Sequence, residues 1–335
     1  MKTEHHSRLT APEIGNLWTQ YLNDTAAICF QKYAVAKIED EDIRLLYQFA
    51  QELSERHVKR IKEFFIQENF PIPHGFTDQD VNINAPRLFD DALFLNYLYV
   101  MSLHGIDGYG AAVTTSIRSD LRSYYIKCNM EGMILYHRIM EAMLAKGLMV
   151  RPPYINPPEL VTFVKQPDFL TGWIGERRPL TSVEINSITF NLIKMNLHST
   201  LKVAYSQVAQ SQKVRNHLLR GLDISNKHIE IFNSLLSEDH LNSPISWESR
   251  VTNSTTSPFS DKLIMFQIQM STITAVAFYG LALSVCSRKD LGTHYLRLMG
   301  EVLEFGKDGA DLMIQNGWME EPPTADDRKE LAKRS

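Results

Sequence analysis

The stretch Leu9-Thr10-x-x-Glu13-Ile14 returns later in the chain as Leu180-Thr181-x-x-Glu184-Ile185. The register it sets then runs on without a gap, placing Arg44 on Arg215, Ser54 on Ser225, His57 on His228 and Pro73 on Pro244. One residue is lost, after which Phe89, Asp91, Tyr109, Arg118, Asp120, Tyr125, Glu131 and Gly147 fall on Phe259, Asp261, Tyr279, Arg288, Asp290, Tyr295, Glu301 and Gly317. Order-preserving matches over the whole length indicate a duplicated domain rather than a solenoid of short repeats. The length of 335 residues, at about 150 residues per domain, also predicts two domains. The duplication divides the chain into a first unit (9–150), a Pro-rich linker (151–179), a second unit (180–323) and a charged tail (324–335). Phe163, Phe169 and Trp173 predict that the linker packs against the units.

Each unit reads as four helices. In the first, Ile14, Leu17, Tyr21 and Ile28 recur at helical spacing up to the acidic cluster Glu39 to Asp42, and Ile43, Leu46, Ala50, Leu53, Ile61 and Phe64 make a second stripe ending near Phe70-Pro71. A loop of roughly 17 residues, rich in Pro, Gly, Asn and Asp, leads to an apolar helix from about Arg87 to Ile117. A tight Arg118-Ser119-Asp120 turn and a last helix stopped by Gly147 follow. Strand-like alternation is absent. Helices of this length are roughly 40 Å long, and a 17-residue loop reaches about 55 Å when extended. The middle loop is therefore long enough to traverse the bundle, so the pattern short, long, short favours two hairpins joined by a crossover, the ferritin-like arrangement.

Hydrophobic residues make up 44% and charged residues 22% of the chain, values of an ordinary globular protein that argue against disorder or a disulfide scaffold. Lys plus Arg (35) against Asp plus Glu (39) gives a net charge of −4, so nucleic acid is not an expected partner. Cys29, Cys128 and Cys286 have no paired spacing and read as reduced core residues. The start MKTEHHSRLT has no apolar core of a signal peptide, and a cytoplasmic location is expected. The uncharged run Leu263 to Ser287 is long enough for a membrane span, but Gln267, Gln269, Ser271, Thr272 and Thr274 within it favour a fully buried central helix over a span.

Polar residues fall at mid-height in the predicted bundle. His57 continues the core stripe of the second helix, Glu131 lies mid-way along the fourth, and both recur as His228 and Glu301. In the first unit Asp24 interrupts the first helix's stripe, and His104 and Asp107 sit mid-way along the third. Asp24, His57, His104 or Asp107, and Glu131 are thus candidate ligands in one layer, a donor set suited to iron, manganese or zinc, with His228 and Glu301 a poorer set. A buried His/Glu pair that fixes helix register is the alternative. It is favoured in the second unit, where Met195 replaces Asp24 and Thr274 and Ala277 replace His104 and Asp107. The di-metal Glu-x-x-His motif is incomplete: Ser54 and Ser225 stand three residues before His57 and His228, and Ile134 and Glu304 three after Glu131 and Glu301. The stripe His294, Glu301, Asp308 and the pair His137, Glu141 read as solvated charges, and His5-His6 and Glu320 to Ser335 as charged termini. No phosphate loop, nucleophile elbow, CxxC or HExxH occurs, so no catalytic residue is assigned.

The run Gly175-Glu176-Arg177-Arg178-Pro179-Leu180 ahead of Glu184-Ile185, the segment Ser257-Pro258-Phe259-Ser260-Asp261-Lys262-Leu263, the pair Arg288 and Asp290, and Gly317-Trp318-Met319-Glu320-Glu321-Pro322-Pro323 resemble a tandem ferritin-like family of unknown function. That family is found mainly in Bacillus and related spore formers and is similar in fold to the spore coat protein F group. The resemblance implies a duplicated four-helix bundle and brings no reaction or catalytic residues. The expected protein is all-α, two tandem ferritin-like bundles, with a non-enzymatic structural or spore-associated role. Its partners would be spore or other proteins, as a monomer or a homo-oligomer. The alternative is a metal-binding carboxylate/histidine protein, an oxidase or a metal store.

Overall fold

A computed structural model describes residues 7–172 and 177–333, so Trp173, Gly175, Glu176 and His5-His6 lie outside the described residues. Unit one consists of α1 (Ala11–Lys37), α2 (Glu41–Gln67), α3 (Asp91–Thr115) and α4 (Ser119–Ala145). Unit two repeats it as α5 (Ser182–Val208), α6 (Gln212–Glu238), α7 (Asp261–Val285) and α8 (Lys289–Gln315), and a short α9 (Arg328–Lys333) follows.

The Thr-x-x-Glu signature explains much of the shared frame. Glu13 accepts from the Thr10 N–H at 2.8 Å, capping α1, and its other oxygen accepts from the N–H groups of Ile117 and Arg118 at 2.9 and 2.8 Å. One carboxylate thus caps a helix start and braces the α3–α4 turn. Glu184 does the same for Thr181, Ser287 and Arg288. At the other end of α4 and α8, Gly147 and Gly317 adopt φ of +65° and +67°. The Leu148 N–H reaches the Met143 carbonyl and the Trp318 N–H the Met313 carbonyl, closing both helices in the way the sequence predicts.

The Asp91 carboxylate at the start of α3 accepts from the N–H groups of Glu39 and Asp40 in the α1–α2 turn. The end of α3 rests on Glu13, at the start of α1, and Arg118 reaches Glu68 just past α2. Therefore α3 runs parallel to α2, and the loop 68–90 has travelled the length of the bundle. Asp261, bonded to the Gln210 and Ser211 N–H groups, repeats this in unit two. The expected crossover is present, with a loop longer than predicted because α3 starts at Asp91, capped by Asp90, rather than near Arg87.

The crossover loops join the units. Val81 pairs antiparallel with Phe259 and Phe89 with Val251. Around them the bonds Asn82 N–H to Pro258 O and Thr252 N–H to Leu88 O, and Ser260 N–H to Asp80 O and Asp90 N–H to Arg250 O, form two equivalent pairs. The repeats thus meet as an isologous dimer would, related by an approximate two-fold. Beneath the loops a single apolar core draws residues from all eight long helices, including Phe30 stacked on Tyr97 at 3.8 Å and on Phe259 at 5.3 Å.

Four expectations are corrected. Among the described residues the linker packs only toward its end: Phe163 is 86% exposed, whereas Phe169 is half-buried beneath the Arg178 guanidinium 4.1 Å over its ring and Gly172 is buried. The prolines of this stretch deny it a helix whose apolar face would dock. Helix α7 is long and apolar enough to cross a membrane, but it is not a fully buried central helix, since its first half enters the shared core while Ile273, Leu281 and Val285 are exposed. Glu320 is not a loose terminal charge: it accepts from the N–H groups of His74 and Gly75 at 2.7 Å, clamping unit one's crossover loop. Glu301 is not merely solvated, because it meets the buried His228 as well as Lys227 on α6, whereas Asp308 is a surface charge paired with Arg220. His137 and Glu141 are exposed as expected.

Candidate functional site

The main departure from the two-fold is a cavity of about 770 Å³ in unit one and at its border with unit two, walled by α1, α2, α3 and α4 and closed on the inner side by α5 and α7. The corresponding space in unit two is about 30 Å³. Residue exchanges at matched positions account for the difference. Thr19, Asn23 and Gly108 of unit one are replaced by Phe190, Lys194 and Phe278, and Cys128, Gly132 and Leu135 by Leu298, Val302 and Phe305. In unit two, Phe190 meets Phe278 edge-on at 5.1 Å and the Lys194 ammonium lies 3.0 Å over the Phe278 ring, closing the seam between α5 and α7. At the matched positions between α1 and α3 no such ring pair stands among the described residues, and the two helices are bridged further out, by Asn16 Nδ2 donating to Thr115 Oγ1 at 2.9 Å. A Cβ at Gly108 would meet no atom within 4 Å, and Gly15, Thr19 and Asn23 line an open mouth.

The cavity is graded along its length. Its inner end, bounded mainly by Leu53, Leu98, Met101, Leu135, Phe266 and Met270 with Gln31, Ser54 and Gln267 among them, reaches the shared core. Its outer half holds Gln20, Asp24, His57, Tyr109 and Tyr125. Asp24 Oδ2, His57 Nε2, both amide atoms of Gln20 and the Tyr125 hydroxyl are buried without a hydrogen-bond partner. Buried polar atoms are ordinarily paired, so a mainly apolar cavity with several unpaired groups in its wall has the character of a ligand site.

Asp24, His57 and Glu131 are brought together as expected. The imidazole lies between the carboxylates, with Nδ1 3.5 Å from Asp24 Oδ2 and Nε2 3.7 Å from Glu131 Oε2, while Arg56 pairs with Glu131 at 3.0 Å. Burial opposes a charge on His57, but the nearby Asp24 carboxylate and Cys128 sulfur push its pKa up to about 10. In unit two His228 Nε2 meets Glu301 at 3.2 Å and Nδ1 meets the Tyr279 hydroxyl at 3.1 Å, while that hydroxyl lies 2.7 Å from the sulfur of Met195. There burial prevails over Glu301 and lowers the His228 pKa. The exchange of Asp24 for Met195 thus accompanies opposite charge states in otherwise matched histidines.

The single four-helix layer does not form. His104 turns to unit two, its ring 6.0 Å from that of His198 and 6.1 Å from Phe278, and burial with the Lys194 charge lowers its pKa to about 3. Asp107, raised by burial, interacts electrostatically with Lys194, whose own pKa burial lowers to about 6. Among the described residues no three His, Cys, Asp or Glu side chains converge as a metal cluster would. In the Asp24–His57–Glu131 group the imidazole separates the two carboxylates, whereas a metal needs its donors around one point at about 2.0 to 2.2 Å.

The cavity itself was missed from sequence, because Thr19, Gly105, Gly108 and Gly132 carry no chemistry of their own. The available signal was the repeat: small residues in one unit facing bulky ones at the same positions in the other.

The family described as "Protein of unknown function (DUF3231)" matches residues 1–161 and 168–331, one copy over each unit. The chain belongs to this family. Two copies of the DUF3231 domain therefore coincide with the two four-helix units. A search of the curated proteins finds no match. Among solved structures the chain is similar to "a putative spore coat protein" from Bacillus halodurans, at 16% identity and a TM-score of 0.41, covering 45% of this chain and 98% of that one.

Proposed function

We propose that this DUF3231 protein is a non-enzymatic binding protein in which unit one holds a small apolar molecule and unit two is its filled scaffold. One observation carries the reading: the cavity of about 770 Å³ in unit one, set against about 30 Å³ in unit two. The larger volume lies within the range of small-molecule sites. The bundles are of the ferritin-like kind, as the crossover and the sequence resemblance support, and the resemblance to families of spore formers supports a cytosolic role associated with spores. A metal-centred role has less support, since the histidine stands between its carboxylates.

The test is uptake of the fluorescent apolar probe N-phenyl-1-naphthylamine by the intact protein. Saturable binding at one site per chain is expected, lost in the variant Thr19→Phe/Gly108→Phe, which carries unit two's residues. Absence of uptake, or equal uptake by the folded double variant, removes the reading.

A further inference from the structure

We infer that the ligand of unit one is a single-chain amphiphile with a neutral, hydrogen-bond-donating head: its tail lies in the shared core and its head meets Asp24. This rests on the cavity being a binding site and adds the class of molecule.

Shape supplies the first argument. The lining residues run from Pro12 to Gln31 on α1 and from Tyr97 to Ala112 on α3, spans of about 28 and 22 Å at the helical rise. The space is thus elongated along the helix axes, the shape of an extended chain rather than of a compact ring system.

Polarity supplies the second. The inner end is mainly apolar, Leu53, Leu98, Met101, Leu135, Phe266 and Met270 outweighing Gln31, Ser54 and Gln267, and is continuous with the core, so an alkyl tail placed there leaves water for a medium like its own. At the mouth end, Asp24 and Gln20 are only 6% and 7% exposed. Asp24 Oδ2, though within ion-pair distance of His57, accepts no hydrogen bond, and neither does the Gln20 carbonyl. Beside them Gln20 Nε2, His57 Nε2 and the Tyr125 hydroxyl lack acceptors, so a hydroxyl head, which both donates and accepts, answers the group.

Charge decides between heads. Asp24 is balanced by His57, and Glu131 by Arg56, so the group offers no net charge to a charged head. No Lys or Arg lines the cavity, so nothing there compensates a buried carboxylate, which would also face Asp24. A hydroxyl meets neither difficulty.

The experiment is calorimetric titration of the full chain with decan-1-ol, decanoate at pH 8, and 1-adamantanol as a compact alcohol. One decan-1-ol per chain is expected, at least tenfold tighter than either of the others. Asp24→Asn keeps the shape but loses the charged acceptor, and should weaken decan-1-ol about tenfold; unchanged decan-1-ol affinity in that folded variant would overturn the placing of the head. Decanoate or 1-adamantanol binding as tightly as decan-1-ol would overturn the amphiphile assignment while leaving the binding reading intact. A protein that takes up neither N-phenyl-1-naphthylamine nor decan-1-ol would overturn both.

Discussion

Unit one and unit two share caps, turns, crossover and end signals, yet one encloses a slot and the other a filled core. The frame residues that recur, Thr10/Thr181, Glu13/Glu184, Asp91/Asp261 and Gly147/Gly317, bind backbone groups that any sequence of this shape must satisfy. The residues that differ at 19, 23, 108 and 132 against 190, 194, 278 and 302 line the cavity or its filled counterpart, where what occupies the space, rather than the fold, is at stake. Duplication thus separates what holds the fold from what fills it, and the filled copy serves as an internal reference for the open one.

The largest expected effect probes the shared frame. Glu184 is 1% exposed and also carries the Arg178 guanidinium at 2.8 Å. Glu184→Ala should therefore destabilise by about 3–5 kcal/mol. Glu13 holds the same backbone groups without such a partner, and Glu13→Ala should cost about 1–3 kcal/mol. Denaturant titration measures both, and equal losses would break the proposed asymmetry.

Next come the matched histidines. His57→Ala and His228→Ala should each cost about 1–3 kcal/mol near neutral pH, with opposite dependence on pH. The raised pKa of His57 makes its contribution fully present below about 6.5 and lost as pH rises through about 10. The lowered pKa of His228 makes its contribution present above about 6.5 and lost as pH falls through its folded pKa. Titration of the two imidazoles by NMR reads this directly, and a common midpoint near the unperturbed value would contradict it. Asp24→Met should then sharpen the comparison by moving the His57 midpoint down toward that of His228.

The smallest effect is on stability when unit one is given unit two's residues. Gly108 has open space around it and Gly132 only ordinary contacts, so Thr19→Phe/Gly108→Phe/Gly132→Val should fold and gain about 0.5–2 kcal/mol. A large loss would show that the slot's walls are not free to be filled.

Much of the fold was legible in the sequence because the repeat exposes its own caps and turns: the helices α1–α4, the crossover and the Gly147 and Gly317 stops follow from periodicity and turn chemistry. His57 and its partners Asp24 and Glu131 were legible as interruptions of apolar stripes. The placing of His104 was not, since its neighbours His198 and Phe278 come from the other unit, and one unit's periodicity says nothing of how two units meet. The exposure of Phe163 was also hidden, because composition marks an aromatic as able to pack without naming a surface for it.

The most direct test of the account is a crystal of the protein pressurised with xenon, which enters apolar cavities without regard to head-group chemistry. The account predicts xenon density in unit one, between α1 and α3 toward Leu98 and Met101, with none at the matched place in unit two. Density in both units alike, or none in unit one, would contradict the claim that a duplicated bundle has kept one copy open to bind and the other closed to support it.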